Sequence, residues 1–245
     1  MHVLKEHFRN CNTIIFIPFA RPGGISFDDY TQKVAQAFAS INLNIVGLHT
    51  FENKEEAIKN AEGIFTGGAN TFLLVSTLYD FNIMSVLKNT IENGVPYLGT
   101  SAGSNIGGMT MNTTNDMPIV LPKSFETLGL IPFNLNPHYQ DADTTSSHMG
   151  ETRETRINEF HTVSTIPVLG LREGSWLEIN DMTVVLKGKL SARLFRKNQI
   201  PVELNPNEVI TFDWLVNYND QEIMTLCIIR KATQCVALKK FRFKI

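Results

Sequence analysis

Ser101 stands in Gly99-Thr100-Ser101-Ala102-Gly103, directly after the short apolar run Val95-Pro96-Tyr97-Leu98. A Gly-x-Ser-x-Gly step of this kind turns sharply from a strand into a helix, and holds the serine in a strained conformation that only small neighbours tolerate. It also aims backbone N–H groups and a helix N-terminus at the point where an oxyanion forms during acyl transfer. Taken alone, the same five residues equally suit a plain glycine-rich turn. A serine hydroxyl is a weak nucleophile at neutral pH, so it needs a base within hydrogen-bond reach, itself oriented by a carboxylate. Only His138, His148 and His161 follow the elbow. His138, in Asn136-Pro137-His138-Tyr139, comes just after an apolar stretch and reads as a strand-end residue, where an α/β sheet keeps its ligand crevice. Asp116 and Glu173 are the carboxylates at comparable positions, and the residues alone do not choose between them.

The elements that must position these groups read as strand alternating with helix. Thr13 to Phe19 is a β-branched and aromatic run ended by Arg21-Pro22-Gly23-Gly24, the pattern of a strand buried on both faces. Ser26 caps a following helix with Asp28 and Asp29 in its first turn. Leu43 to His49 is the next strand, Asn53 opens a short helix, and Gly63 to Thr66 is a third strand. This alternation predicts a parallel sheet with helices on both faces. Gly67-Gly68-Ala69-Asn70-Thr71 follows the third strand, either as a loop that lets backbone approach a ligand or as a plain turn into a helix capped by Asn70. No Gly-Lys-Ser/Thr follows, which excludes a P-loop. Ile83 to Glu92 is helical, Thr113 to Pro118 a polar turn, and Leu128 to Leu135 an apolar strand leading to His138. A helix opens at Gly150 to Arg156 with Ile157 and Phe160 inward. Val168 to Leu171 is a short strand, and Leu177 to Phe195 reads as β-hairpin material with turns at Asn180-Asp181 and Lys187-Gly188. The stretch from Pro206 to Ile245 carries no recognisable chemistry.

At 245 residues, 43% hydrophobic and 19% charged, the chain has ordinary globular composition and length for one large α/β domain. A net charge of −2 with interspersed signs leaves no electrostatic footprint for nucleic acid or an anionic membrane. Cys11, Cys227 and Cys235 have no metal-type spacing and fit a reducing compartment. The first residues form no apolar signal region and no apolar run reaches membrane-spanning length, so the expected setting is cytoplasmic. An α/β-hydrolase would put its acid and histidine much further along, and no histidine follows His161, which disfavours that fold.

In its motifs the chain resembles the aspartyl dipeptidase (peptidase E) family of serine peptidases, whose core resembles class I glutamine amidotransferases. The likeness is carried by Phe16-Ile17-Pro18-Phe19-Ala20, Gly67 to Phe72, Gly99 to Gly103, Thr113 to Val120, Asn136-Pro137-His138, Gly150 to Glu154 and Gly170 to Gly174, in the family's order across residues 13–205. It implies a three-layer α/β sandwich with a mostly parallel central sheet and a β-hairpin near the C-terminus. One domain would span residues 1–205, with 206–245 an extension. It implies Ser101 as nucleophile and His138 as general base, with Asp116 and Glu173 both matching positions that supply the third member. Gly68 and Ala102 would form the oxyanion hole, and Arg153 would pair with the substrate's aspartate side chain. The implied activity is hydrolysis of dipeptides with N-terminal aspartate, without metal or cofactor, and a homodimer is among the assemblies open to it. The alternatives are hydrolysis of β-aspartyl or cyanophycin-like substrates, or a non-catalytic relative. Two departures stand out: Ala69 replaces a usual glycine, and the chain opens in what resembles the family's first helix rather than its first strand. The second departure predicts either a start placed downstream of the true one or a sheet with an exposed edge.

Overall fold

A computed structural model describes residues 1–142, 150–180 and 183–212, together with the backbone of 241–244. His148, Asp181 of the expected hairpin turn, Cys227 and Cys235 lie outside the described residues. In chain order the elements are α1 (His2–His7), β1 (Thr13–Ile17), α2 (Phe27–Phe38), β2 (Asn44–Gly47), α3 (Lys54–Lys59), β3 (Ile64–Thr66), α4 (Thr71–Asp80), α5 (Met84–Glu92), β4 (Tyr97–Thr100) and α6 (Ala102–Asn105). They continue with β5 (Asn134–Pro137), α7 (Arg153–Val163), β6 (Val168–Leu171), β7 (Ser175–Asn180), β8 (Thr183–Gly188), β9 (Ala192–Phe195), β10 (Val202–Leu204), β11 (Val209–Thr211) and β12 (Phe241–Lys244).

Alternation along β1 explains the layering. Ile15 and Ile17 enter one apolar cluster with Ile58, Leu74 and Leu87 of α3, α4 and α5, whereas Ile14 and Phe16 enter a second with Leu4, Val34 and Phe38 of α1 and α2. Each side chain so buried contributes roughly 1.5–3 kcal/mol. Side-chain oxygens of Ser26, Asn53, Asn70 and Thr152 accept the N–H three residues on and start α2, α3, α4 and α7. Each cap is worth about 1 kcal/mol. Among the described residues no helix is long and apolar enough to cross a membrane.

The larger sheet has eight strands in the order β11-β8-β7-β12-β4-β3-β1-β2. The run β2-β1-β3-β4-β12 is parallel throughout, and β12, β7, β8 and β11 pair antiparallel. A second sheet, β10-β9-β6-β5, pairs β5 and β6 in parallel. Thus the strands that carry Ser101 and His138 belong to different sheets. The expected hairpin is β7–β8, but its 177–195 span is too long: β9 leaves it to pair with β6 and β10. The strand expected over 43–49 stops at Gly47, where Leu48–Thr50 forms a 3-10 turn. Of the strand expected over 128–135, only the last two residues are extended, with Leu128, Ile131 and Phe133 buried in a loop. Beside β4 there is no open edge, because β12 lies between β4 and β7.

Candidate active site

At the end of β4 the chain makes the sharp step its small residues suggest. Ser101 holds φ 51° and ψ −112°, outside the ordinary allowed regions, and α6 starts with the next residue. The buried Tyr97 hydroxyl donates to Gly103 O at 2.8 Å and Ser104 Oγ donates to Gly99 O at 2.9 Å, which fastens both sides of the turn. Gly103 packs so closely on Thr66 O that a side chain there would collide with the backbone of β3. Gly68 approaches from the loop after β3, and a Cβ on it would stand 2.6 Å from Ser101 Cβ. The Gly68 backbone is therefore in contact with the nucleophile side chain, and Ala102, as the first residue of α6, has an N–H without an intrahelical acceptor. Positive φ recurs at Ala69 (143°) and His138 (56°). Strain of this kind costs on the order of 1–3 kcal/mol per residue and persists only where surrounding packing enforces it.

That packing is polar around His138. Asn105 Nδ2 and Thr113 Oγ1 both donate to Leu135 O, Asn136 Nδ2 donates to Thr113 O and Asn115 Oδ1, and Asn115 Nδ2 donates to Pro137 O. The 113–116 loop is thereby stitched to β5, and β5 delivers His138 to the elbow. His138 Nε2 lies 3.1 Å from Ser101 Oγ, and His138 Nδ1 lies 2.8 Å from Glu173 Oε1. Glu173 follows β6, the parallel neighbour of β5, so one sheet presents both groups at the ends of adjacent strands. Its side chain is 75% exposed and that of His138 42%.

Asp116 faces elsewhere. Its Oδ2 accepts from Thr71 N at 2.7 Å, Thr71 Oγ1 at 2.6 Å and Thr114 Oγ1 at 3.0 Å, at the start of α4. Of the two acids, only Glu173 reaches the imidazole. Asp116 nevertheless lines a small cleft together with Thr71, Thr114, Asn105, Ser101 and His138. Arg153, at the first position of α7, is half-buried and has no ion-pair or hydrogen-bond partner among the described residues. Burial and neighbouring Arg156 pull its guanidinium below the usual value, while Asp116 acts in the opposite sense.

Sequence reading does not find the role of Arg172, next to Glu173. Its guanidinium is 14% exposed, pairs through two nitrogens with each of Asp141 and Glu203, and donates to Ser191 O. It also lies over the Tyr139 ring, 5.5 Å from the centroid. The residues just after His138 and just before Glu173 are thus clamped together. None of these partners is near Arg172 in sequence, although an arginine beside an apolar strand is itself a signal that a carboxylate should be sought. The other histidines have structural surroundings: His161 is buried against Ile166 O, which pushes its pKa down, and His49 pairs with Asp28.

A sequence profile described as Peptidase family S51 matches residues 2–187. A protein named Peptidase E from Streptomyces coelicolor is 45% identical over 191 residues, covering 78% of this chain and 77% of its own. One named probable alpha-aspartyl dipeptidase from Drosophila melanogaster is 40% identical over 212 residues, covering 85% and 87%. Among solved structures, a peptidase from an acI-B1 Actinobacterium aligns with TM-score 0.64 at 16% identity, over 86% of this chain and 88% of that one. A putative peptidase E protein from Listeria monocytogenes EGD-e aligns with TM-score 0.54 at 19% identity, over 83% and 93%. These two likenesses bear on the fold.

Proposed function

The chain belongs to peptidase family S51, and from that premise we propose that it is a serine dipeptidase cleaving substrates with an N-terminal aspartate through an acyl-enzyme on Ser101. The observation that carries the reading is the unbroken chain Ser101 Oγ–His138 Nε2–His138 Nδ1–Glu173 Oε1, at 3.1 and 2.8 Å. Glu173 accepts the Nδ1 proton and so fixes the tautomer in which Nε2 is the base. His138 takes the Ser101 proton as Oγ bonds to the peptide carbonyl carbon, and the oxyanion is held by the N–H groups of Ala102 and Gly68. Collapse breaks the C–N bond, and the imidazolium gives its proton to the leaving amine. Water, deprotonated by His138, then releases the acid and restores Ser101.

Arg153 supplies the specificity in this reading. A half-buried guanidinium without a protein partner offers a planar fork to the carboxylate of the substrate's first residue. The names of the Drosophila and Streptomyces relatives point to the same substrate class. A cytoplasmic setting belongs to the reading, supported by cysteines without disulfide or metal spacing. A homodimer belongs to it as well: the exposed Met117, Ile119, Leu121 and Phe125 form an apolar surface suited to such a contact, and sedimentation of the purified protein tests it.

Purified protein should hydrolyse Asp-Leu faster than Glu-Leu, Ala-Leu or isoAsp-Leu. Faster turnover of isoAsp-Leu would move the assignment to β-aspartyl linkages, and equal rates on all four would remove aspartate specificity.

A further inference from the structure

We propose that Asp116 is the receptor for the substrate's free α-ammonium group, so that Asp116 and Arg153 together read the two opposite charges of an N-terminal aspartyl residue. The inference rests on the dipeptidase reading and deepens it. An N-terminal aspartyl residue carries a cation on Cα and an anion two bonds from Cα, and its Cα is bonded to the carbonyl carbon that Ser101 attacks. A site for it therefore needs one anionic and one cationic group close to the nucleophile, and near each other.

The cleft beside Ser101 meets that demand. Asp116 shares its wall with Ser101 and His138. All three hydrogen bonds to the carboxylate converge on Oδ2, from Thr71 N, Thr71 Oγ1 and Thr114 Oγ1, and Oδ1 takes none among the described residues. The carboxylate is thus fixed in direction with one oxygen left over. Arg153 is near enough for Asp116 to act on its titration, yet the two form no ion pair. Opposite charges held in the same region without pairing leave both free to engage a third party, and desolvated pairing with it rewards both. A purely structural Asp116 would account for the three bonds to Oδ2, but not for its place on the cleft wall facing a half-buried cation.

The arrangement predicts a substrate requirement. Peptides whose first residue lacks a positive α-nitrogen should be poor ligands even with the aspartyl carboxylate intact, because Asp116 would then be desolvated without a partner.

The test measures binding of Asp-Leu and of succinyl-Leu, its des-amino analogue, to Ser101→Ala protein by calorimetry, with and without Asp116→Asn. In the Ser101→Ala background Asp-Leu should bind more tightly by a factor on the order of 10², the loss expected when a desolvated charge has no partner. Adding Asp116→Asn should bring that preference down to about threefold or less, within the scale of a neutral hydrogen bond. The preference is a ratio within one protein sample, so a lower folded fraction cancels from it. A preference that survives Asp116→Asn overturns the proposal. If the double variant does not fold, the wild type decides: equal turnover of Asp-Leu and succinyl-Leu overturns the proposal, and a strong preference for the free amine supports it. Should the wild type cleave Glu-Leu or Ala-Leu faster than Asp-Leu, the aspartate reading fails separately, and the comparison is made with that dipeptide and its des-amino analogue. Absence of cleavage of any free-amine dipeptide overturns both.

Discussion

The two carboxylates near Ser101 stand at comparable strand-following positions in sequence and in opposite surroundings in space. Glu173 is exposed, touches the imidazole with one oxygen, and stands at the end of β6, whose Arg172 is clamped to Asp141 and Glu203. Asp116 is half-buried, carries three hydrogen bonds on one oxygen, and anchors a loop to the start of α4. Number of contacts and role in the chemistry are thus uncoupled. The acid that orients the base is held through its backbone and makes a single side-chain contact, while the better-bonded acid does not touch the base.

That contrast breaks or holds first at Glu173. Glu173→Gln should lower turnover about 10²- to 10⁴-fold, since an amide in place of the carboxylate no longer fixes the imidazole tautomer. The thermal midpoint should hardly move, because an exposed pair adds little, about 0–1 kcal/mol, to stability. Stopped-rate assays with a melting curve on the same sample check both halves. Turnover close to wild type would hand the third position back to Asp116 and remove the distinction.

The next effect is smaller and sharpens the Asp116 side. Arg153→Met should cost Asp-Leu hydrolysis roughly 2–5 kcal/mol of transition-state free energy, the loss expected for a desolvated charge pair, and affect Asn-Leu far less. A helix N-terminus gains nothing from a cation, so the macrodipole does not explain this residue. An unchanged Asp-Leu to Asn-Leu ratio would take Arg153 out of the cleft.

The smallest effect concerns the clamp behind Glu173. The Arg172 guanidinium holds the carboxyls of Asp141 and Glu203 below the usual carboxylate range, chiefly by hydrogen bonding. A depressed folded-state pKa contributes stability that is complete above the unfolded value, about 4, and is lost as pH falls through the folded values. Arg172→Met should therefore lower the melting temperature at neutral pH by several degrees, the scale of about 1–3 kcal/mol for lost charged hydrogen bonds. The decline of stability toward low pH should become shallower than in wild type. Parallel melting curves across pH 2 to 7, a window of about five units spanning those carboxylates, check the sign, and an unchanged acid limb would mean that Arg172 does not set it.

What the sequence made legible is what short-range signals encode. Ser26, Asn53 and Asn70 announce their helices by capping, the apolar run before Ser101 announces β4, and the small residues around Ser101 announce its turn. Non-local pairing is where reading stopped. Nothing between residues 177 and 195 tells β9 to leave the hairpin and join β6, because that pairing is decided by a partner lying more than twenty residues upstream. The run 128–135 looked extended because buried loops and strands share apolar composition. The choice between Asp116 and Glu173 was closed to sequence for the same reason: Thr71 lies 45 residues before Asp116, and His138 lies 35 before Glu173.

The most direct measurement is of the bond that the whole arrangement implies. Intact-mass analysis after treatment with a fluorophosphonate, which esterifies activated serine hydroxyls, should show a single adduct that maps to Ser101 and removes Asp-Leu hydrolysis. His138→Ala should label far more slowly, and Ser101→Ala should take no label and lose on the order of 10⁴- to 10⁶-fold in turnover. Labelling at another residue, or a Ser101→Ala protein that still cleaves Asp-Leu at a rate near wild type, would contradict Ser101 as the nucleophile and with it the assignment of the site.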